Sequence, residues 1–261
     1  MTTFTIKTIA SAAMLLDHVF AVFPSSFPRY FNYIGRFAFP VYAFMTAQGC
    51  KHTKNINRYL LRLGIFALIS EVFFDAAFMS GVSFVDNTNV FYTLFFGVAC
   101  VAIYEKLKIK LTASGSEREL TNKPFRRIIP VLPMIPIVSA GRILNTDYGM
   151  SGIIIILIFY FAKPETGITR AAAAAGFVIC KYGYLCIFAL FRERGIYLPY
   201  LGQRIPFSAP GAGLYCFLFA LISVPVIFLY NGKQGPKLKW SFYAFYPVHI
   251  AVLTAIKYFA A

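Results

Sequence analysis

Lys7 and His18 stand eleven residues apart within one apolar run, 6–23. On a helix that interval is about three turns and about 16 Å, so the two side chains share nearly one face at different depths. A charged group near one end and an imidazole further in suit a long ligand with a charged head and a reactive tail. A second apolar run, 30–50, follows at once and carries Arg36 in Gly35-Arg36-Phe37-Ala38-Phe39-Pro40. Further on lie Glu71 and Asp75, one turn apart on one helical face, then Lys181, then His249 beside Pro247. An ionisable group at membrane depth costs at least about 2.5–3.5 kcal/mol on insertion scales, so such residues inside apolar runs are functional candidates.

The elements that must position them are membrane helices. The chain has 261 residues, 59% hydrophobic and 13% charged, far from the balance of a soluble domain. Its net charge of +15 would suggest nucleic acid on a soluble domain. Most of it falls in short loops between apolar runs, where it sets orientation and meets anionic head groups, so no nucleic-acid partner is expected. The five cysteines, Cys50, Cys100, Cys180, Cys186 and Cys216, lie in or beside apolar runs without metal spacing and read as packing residues. Asp17-His18 interrupts the first run and no small-residue cleavage site follows, so this run is expected to stay as a first span.

Runs near the roughly 20 residues a bilayer requires fall at 6–23, 30–50, 59–79, 88–104, 127–141, 148–162, 169–190, 212–230 and 240–260, nine in all. The expected fold is an all-α polytopic bundle of about 8–10 transmembrane helices forming one domain over 1–261. The run at 127–141 is short and carries Pro130, Pro133 and Pro136, so it is expected to be kinked or re-entrant. With nine crossings, one side holds fifteen loop Lys and Arg, among them Lys51, Lys54, Lys106 and Lys237, and the other five, among them Arg29 and Arg142. The N-terminus and the loop at about 105–126, a flexible connector, are then cytoplasmic.

That orientation assigns depths. His18 lies about two-thirds of the way across, Arg36 in the outer third, Glu71 near the middle and Lys181 in the outer half. Asn89 and Asp147-Tyr148-Gly149 cap outer helix ends, His249 lies near mid-depth, and Lys51 and His52 sit at the cytoplasmic surface. Mixed signs in one layer predict pairing. Arg36 is expected to pair with Glu71 or Asp75. Asp17 points about 100° away from His18 and is expected to pair with another span. The plainer readings are a packing histidine at 18, a register-fixing ion pair at 36, a counter-ion at 181 and a satisfied histidine on a kinked helix at 249. Glu71 and Asp75 lack a third metal ligand at recognisable spacing, so no metal is expected. No Gly-rich phosphate loop, His-Glu-x-x-His motif or Gly-x-Ser-x-Gly elbow is present.

Taken together and in order, several motifs resemble the TraX family of membrane proteins. They are Ile6-Lys7-Thr8-Ile9-Ala10, Met14-Leu15-Leu16-Asp17-His18, Ile34-Gly35-Arg36-Phe37-Ala38-Phe39-Pro40, Ser70-Glu71-Val72-Phe73-Phe74-Asp75, Asn89-Val90-Phe91-Tyr92-Thr93-Leu94, Asp147-Tyr148-Gly149, Tyr230-Asn231-Gly232-Lys233 and Phe245-Tyr246-Pro247-Val248-His249. The resemblance covers nearly the whole chain. Gln48 stands where it implies an acidic residue. It implies an inner-membrane protein linked to N-terminal acetylation of conjugative pilin. The Lys7-to-His18 interval also looks like the basic-residue, ten-spacer, histidine signature of the transmembrane acyltransferase superfamily, which uses cytoplasmic acyl-CoA.

On that resemblance the expected function is an acetyltransferase with acetyl-CoA as donor and an amine or hydroxyl acceptor: a pilin N-terminus, a glycan or a lipid head group. His18 would be the general base, Arg36, with Asn89, the oxyanion partner, and Glu71 and Asp75 would hold Arg36 or an acceptor ammonium. Lys7, Lys51 and His52 would meet the donor phosphates, and Asn89, Asp147, Tyr148, Lys181 and His249 the acceptor. A covalent acetyl-His18 is a variant of the same chemistry. A transporter lined by the intramembrane charges, or a non-enzymatic pilus assembly factor, are the alternatives from other classes.

Overall fold

The computed structural model describes residues 1–79, 87–111, 129–183 and 212–259. Among the described residues the chain is helical without strands: α1 (Thr3–Val22), α2 (Tyr30–Gly35), α3 (Ala38–His52), α4 (Ile56–Phe78), α5 (Val90–Leu111), α6 (Met134–Ile143), α7 (Gly149–Phe161), α8 (Gly167–Val178), a π turn (Ile179–Gly183), α9 (Ala212–Leu221), α10 (Ser223–Phe228) and α11 (Lys239–Phe259). Most of the connector expected at about 105–126, the first residues of the run at 127–141 and the end of the run at 169–190 lie outside the described residues.

Local chemistry sets the helix ends. Thr2 caps α1 by accepting from the Thr5 amide at 3.2 Å, Asn55 caps α4 through the Arg58 amide at 2.9 Å, and Thr166 and Thr169 form a capping box at the start of α8. These bonds satisfy amides that a helix start leaves open. Prolines set the interruptions. The run at 30–50 breaks at Arg36-Phe37, and the run at 212–230 breaks at Ile222. Each break falls close to four residues ahead of a proline, Pro40 or Pro225, whose missing N–H would have bonded the carbonyl there.

The helices are inside out by the standard of a soluble protein. On α4, Leu61, Ile65, Leu68, Ile69 and Val72 are exposed while Ser70, Glu71 and Asp75 are fully buried. On α7 the exposed residues are Met150, Ile154, Ile158 and Phe161; on α11 they include Trp240, Val248, Val252 and Ile256. Apolar stripes at helical spacing turned outward suit lipid. Among the described residues three helices are long and apolar enough to cross a membrane, Thr3–Val22, Val90–Leu111 and Trp240–Phe259, with shorter apolar helices at Met134–Ile143, Gly149–Phe161 and Ala212–Phe228. α4 has the length, 23 residues, but carries Arg58, Arg62, Glu71 and Asp75. α6, with ten residues, rises about 15 Å, half the hydrocarbon core.

The chain divides into two compact units, residues 1–45 with 162–261, and residues 46–161. The first contains α1, α2, the start of α3, and α8 to α11. Its N-terminus is clasped by the segment before α11: the Met1 ammonium donates to the Leu229 carbonyl at 2.6 Å, and the Thr3 and Phe4 amides donate to the Lys233 and Gln234 carbonyls. α1 and α11 run parallel, since Lys7 lies over the Phe242 ring and His18 meets His249. The second unit contains the end of α3 and α4 to α7. Cys100, Met134 and Ile153 form a buried core there, with Phe96, Ile137 and Leu157 packed against it.

Candidate functional site

The first unit brings together Asp17 and His18 of the first apolar run and Arg36 of the second. Gly35, the last residue of α2, faces the Asp17 side chain so closely that a Cβ there would collide with it. This approach lets Arg36 reach across: its Nη2 donates to Asp17 Oδ1 and Oδ2, each at 3.1 Å. Asn32 Nδ2 donates to Asp17 Oδ1 at 2.5 Å, and Arg36 Nε donates back to the Asn32 carbonyl at 3.2 Å. The carboxylate and guanidinium are thus held by charge-assisted bonds in a fixed geometry. The pairing expected for Arg36 with Glu71 or Asp75 is observed with Asp17, because the short turn between α1 and α2 brings these two together first. Asp17 does pair with another helix, as its angle on α1 requires.

His18, the next residue, faces α11. Its Nδ1 lies 2.6 Å from His249 Nε2, and His249 Nδ1 lies 2.6 Å from the Phe245 carbonyl oxygen. Tyr246 stands edge-on to both rings, and Phe245 stacks on His249 with centroids 4.6 Å apart. His249 is 7% exposed. The Arg36 charge also acts on His18. His249, expected among the acceptor contacts, is therefore a direct partner of the His18 ring. Between Lys7 and His18 the same face of α1 carries Ser11, whose hydroxyl shares a 2.6 Å hydrogen bond with Tyr42. Sequence reasoning passed over Ser11, although its spacing from Lys7 and His18 marks it as part of one polar stripe. It also passed over Asn32, one helical turn before Arg36.

The second unit holds a polar group of its own. Glu71 Oε2 accepts from the Asn89 backbone amide at 3.0 Å and from Asn89 Nδ2. Asn89 Nδ2 also donates to the Ala67 carbonyl at 2.9 Å, and its Oδ1 accepts from the Phe91 amide at 2.9 Å. Asn89, expected to assist Arg36 at the oxyanion, thus closes the start of α5 onto α4. Glu71 Oε1 is buried with no hydrogen-bond partner among the described residues. Asp75 is fully buried one turn further along α4.

Each remaining candidate has its own local setting. Lys51 Nζ donates to the Phe159 carbonyl at 2.9 Å, and His52 Nδ1 donates to the Gln48 carbonyl at 2.8 Å. Both close the end of α3. Gly49, one turn away, gives room to the Tyr59 hydroxyl. The Asp147 amide bonds to the Thr88 carbonyl at 3.0 Å, and the residue is exposed. Tyr148 is buried, with its amide 3.4 Å from Thr93 Oγ1. Lys181 lies in the π turn, half-buried.

Apolar stripes turned outward and charges turned inward define a helical membrane protein. The family model described as TraX protein matches residues 3–257, so the chain belongs to the TraX family. It is 26% identical over 262 residues to "Probable fimbrial assembly protein FimC, serogroup H1" of Dichelobacter nodosus, across 98% of this chain and 96% of that protein. No solved structure matches.

Proposed function

We propose that this protein is a multi-pass inner-membrane acetyltransferase that takes its acyl group from cytoplasmic acetyl-CoA and passes it to an amine or hydroxyl. The observation that carries the reading is the His18–His249 imidazole pair, held beside the Asp17–Arg36 ion pair, on a helix whose polar stripe runs through Ser11 to Lys7. His18 removes the acceptor proton, a role typically worth 10²–10⁴-fold in rate. Arg36, oriented by Asp17 and Asn32, stabilises the oxyanion of the tetrahedral intermediate. Lys7 meets the donor phosphates, and the pantetheine arm follows the stripe toward His18. A pilin N-terminus is the acceptor class favoured by the family. The parallel run of α1 and α11 supports an odd number of crossings, and the lysine-rich segment that clasps the N-terminus supports a cytoplasmic location for both.

A second reading, favoured by the relative's name, is a non-enzymatic fimbrial assembly factor in which these charges only hold helices together. Donor binding separates the two. Purified protein in detergent should bind acetyl-CoA saturably, and Lys7→Ala should weaken binding by about tenfold, the order of one lost charge-assisted phosphate contact. Absence of binding by folded wild type at millimolar donor contradicts the enzyme reading.

A further inference from the structure

The two hydrogen bonds of His249 determine which nitrogen of His18 carries a hydrogen. A carbonyl oxygen only accepts, so His249 Nδ1, 2.6 Å from the Phe245 carbonyl, is the donor of that bond. A neutral imidazole with its hydrogen on Nδ1 has its lone pair on Nε2. That atom is 2.6 Å from His18 Nδ1, which must therefore donate. His18 then keeps its lone pair on Nε2. The directions follow from the bonding network, and a single backbone carbonyl sets both.

Ring geometry agrees. The two imidazoles are tilted by 10° with centroids 4.9 Å apart, longer than their 2.6 Å nitrogen contact by about two ring radii. They meet edge to edge in nearly one plane, the orientation a linear N–H···N bond requires. A doubly protonated His249 would reverse the bond. It would also put a second cation near Arg36 inside a lipid-facing unit, where the Asp17 carboxylate is already bonded to Arg36 and Asn32.

We infer that His249 is a positioning residue that fixes the hydrogen of His18 on Nδ1 and so presents Nε2 as the basic atom. This rests on the reading of His18 as the base. In the transfer, the acceptor lone pair forms a bond to the thioester carbon as its proton passes to His18 Nε2. The carbon–sulfur bond then breaks, and the departing thiolate takes that proton to leave as free CoA thiol. The Nδ1 hydrogen stays in place throughout and bonds more strongly to His249 while His18 is charged.

The chain has three histidines, His18, His52 and His249, so ring nitrogens in ¹⁵N-histidine-labelled protein in nanodiscs can be assigned by substitution. Without substrate, His18 should show a protonated Nδ1 and a bare Nε2 in the wild type. His249→Gln, whose side-chain carbonyl can accept, should keep that pattern. His249→Phe, which keeps a ring between Phe245 and Tyr246 but has no acceptor, should shift His18 toward the Nε2–H form. A hydrogen on Nε2 of His18 in the wild type, or the wild-type pattern in folded His249→Phe, overturns the inference. In thiol release from acetyl-CoA, His249→Phe should lower kcat about 10²-fold or more with an unchanged KM, and His249→Gln should recover part of it. Equal loss in both variants would mark a packing role and overturn the inference. No thiol release by wild type overturns the acyltransferase reading, whereas the tautomer measurement decides the geometry by itself.

Discussion

Asp17 on α1 and Arg36 at the end of α2 are joined through both carboxylate oxygens, each at 3.1 Å, and the absence of a side chain at Gly35 is what lets the two helices come close enough. Sequence-neighbour His18 faces α11 instead. Two adjacent residues thus tie α1 to opposite ends of the chain.

Removing one member of the ion pair leaves the other partly buried without its counter-charge. Asp17→Asn and Arg36→Gln are each expected to destabilise the protein by about 1–3 kcal/mol, since both side chains keep some exposure. Thermal unfolding in detergent reads this out. A transition unchanged in both variants would mean the pair is replaced by lipid or water contacts.

Glycine substitutions separate close approach from helix propensity. Gly35→Ala puts a Cβ into the Asp17 side chain and should cost about 1–3 kcal/mol. Gly176→Ala on α8 meets nothing within 4 Å and should be neutral or stabilising by up to about 1 kcal/mol. Comparable melting of the two variants would contradict the packing at Gly35.

Glu71 bonds through Oε2 to the backbone and side chain of Asn89. Glu71→Gln can keep an oxygen where Oε2 accepts from Asn89, so a change within about 1 kcal/mol is expected, whereas Glu71→Ala strands both Asn89 donors and should cost about 2–4 kcal/mol. Equal stability loss in Gln and Ala would show that the negative charge itself is required.

Backbone bonds join residues 1–4 to residues 229–234, so the proposed topology, with a cytoplasmic N-terminus, places both segments in the cytoplasm. In a cysteine-free background, Thr5→Cys and Gln234→Cys should react with an impermeant thiol reagent only after intact cells are opened. Labelling of either one in intact cells would contradict the orientation.

Much of this architecture can be read from the chain because apolar runs and lipid-facing stripes are local patterns. The limits of α1 fall within three residues of the run that holds Lys7 and His18. The breaks at Arg36-Phe37 and Ile222 were missed because the apolar run continues through them, although Pro40 and Pro225 stood one turn later. The partner of Arg36 was missed because depth along the membrane normal says nothing about lateral neighbours: Glu71 has a suitable charge, but Asp17 is reached through a short turn and a glycine. His249 was recognised as a polar residue on a kinked helix. Its contact with His18, 231 residues away in sequence, depends on the pairing of the first and last helices, which spacing alone does not encode.

The most direct test of the central claim is the release of CoA thiol from acetyl-CoA by purified protein, with and without an amine acceptor, in wild type and His18→Ala. The account predicts slow release by the wild type, acceleration by acceptor, and loss of about 10²-fold or more in His18→Ala. Equal release by the wild type and a folded His18→Ala variant would contradict it.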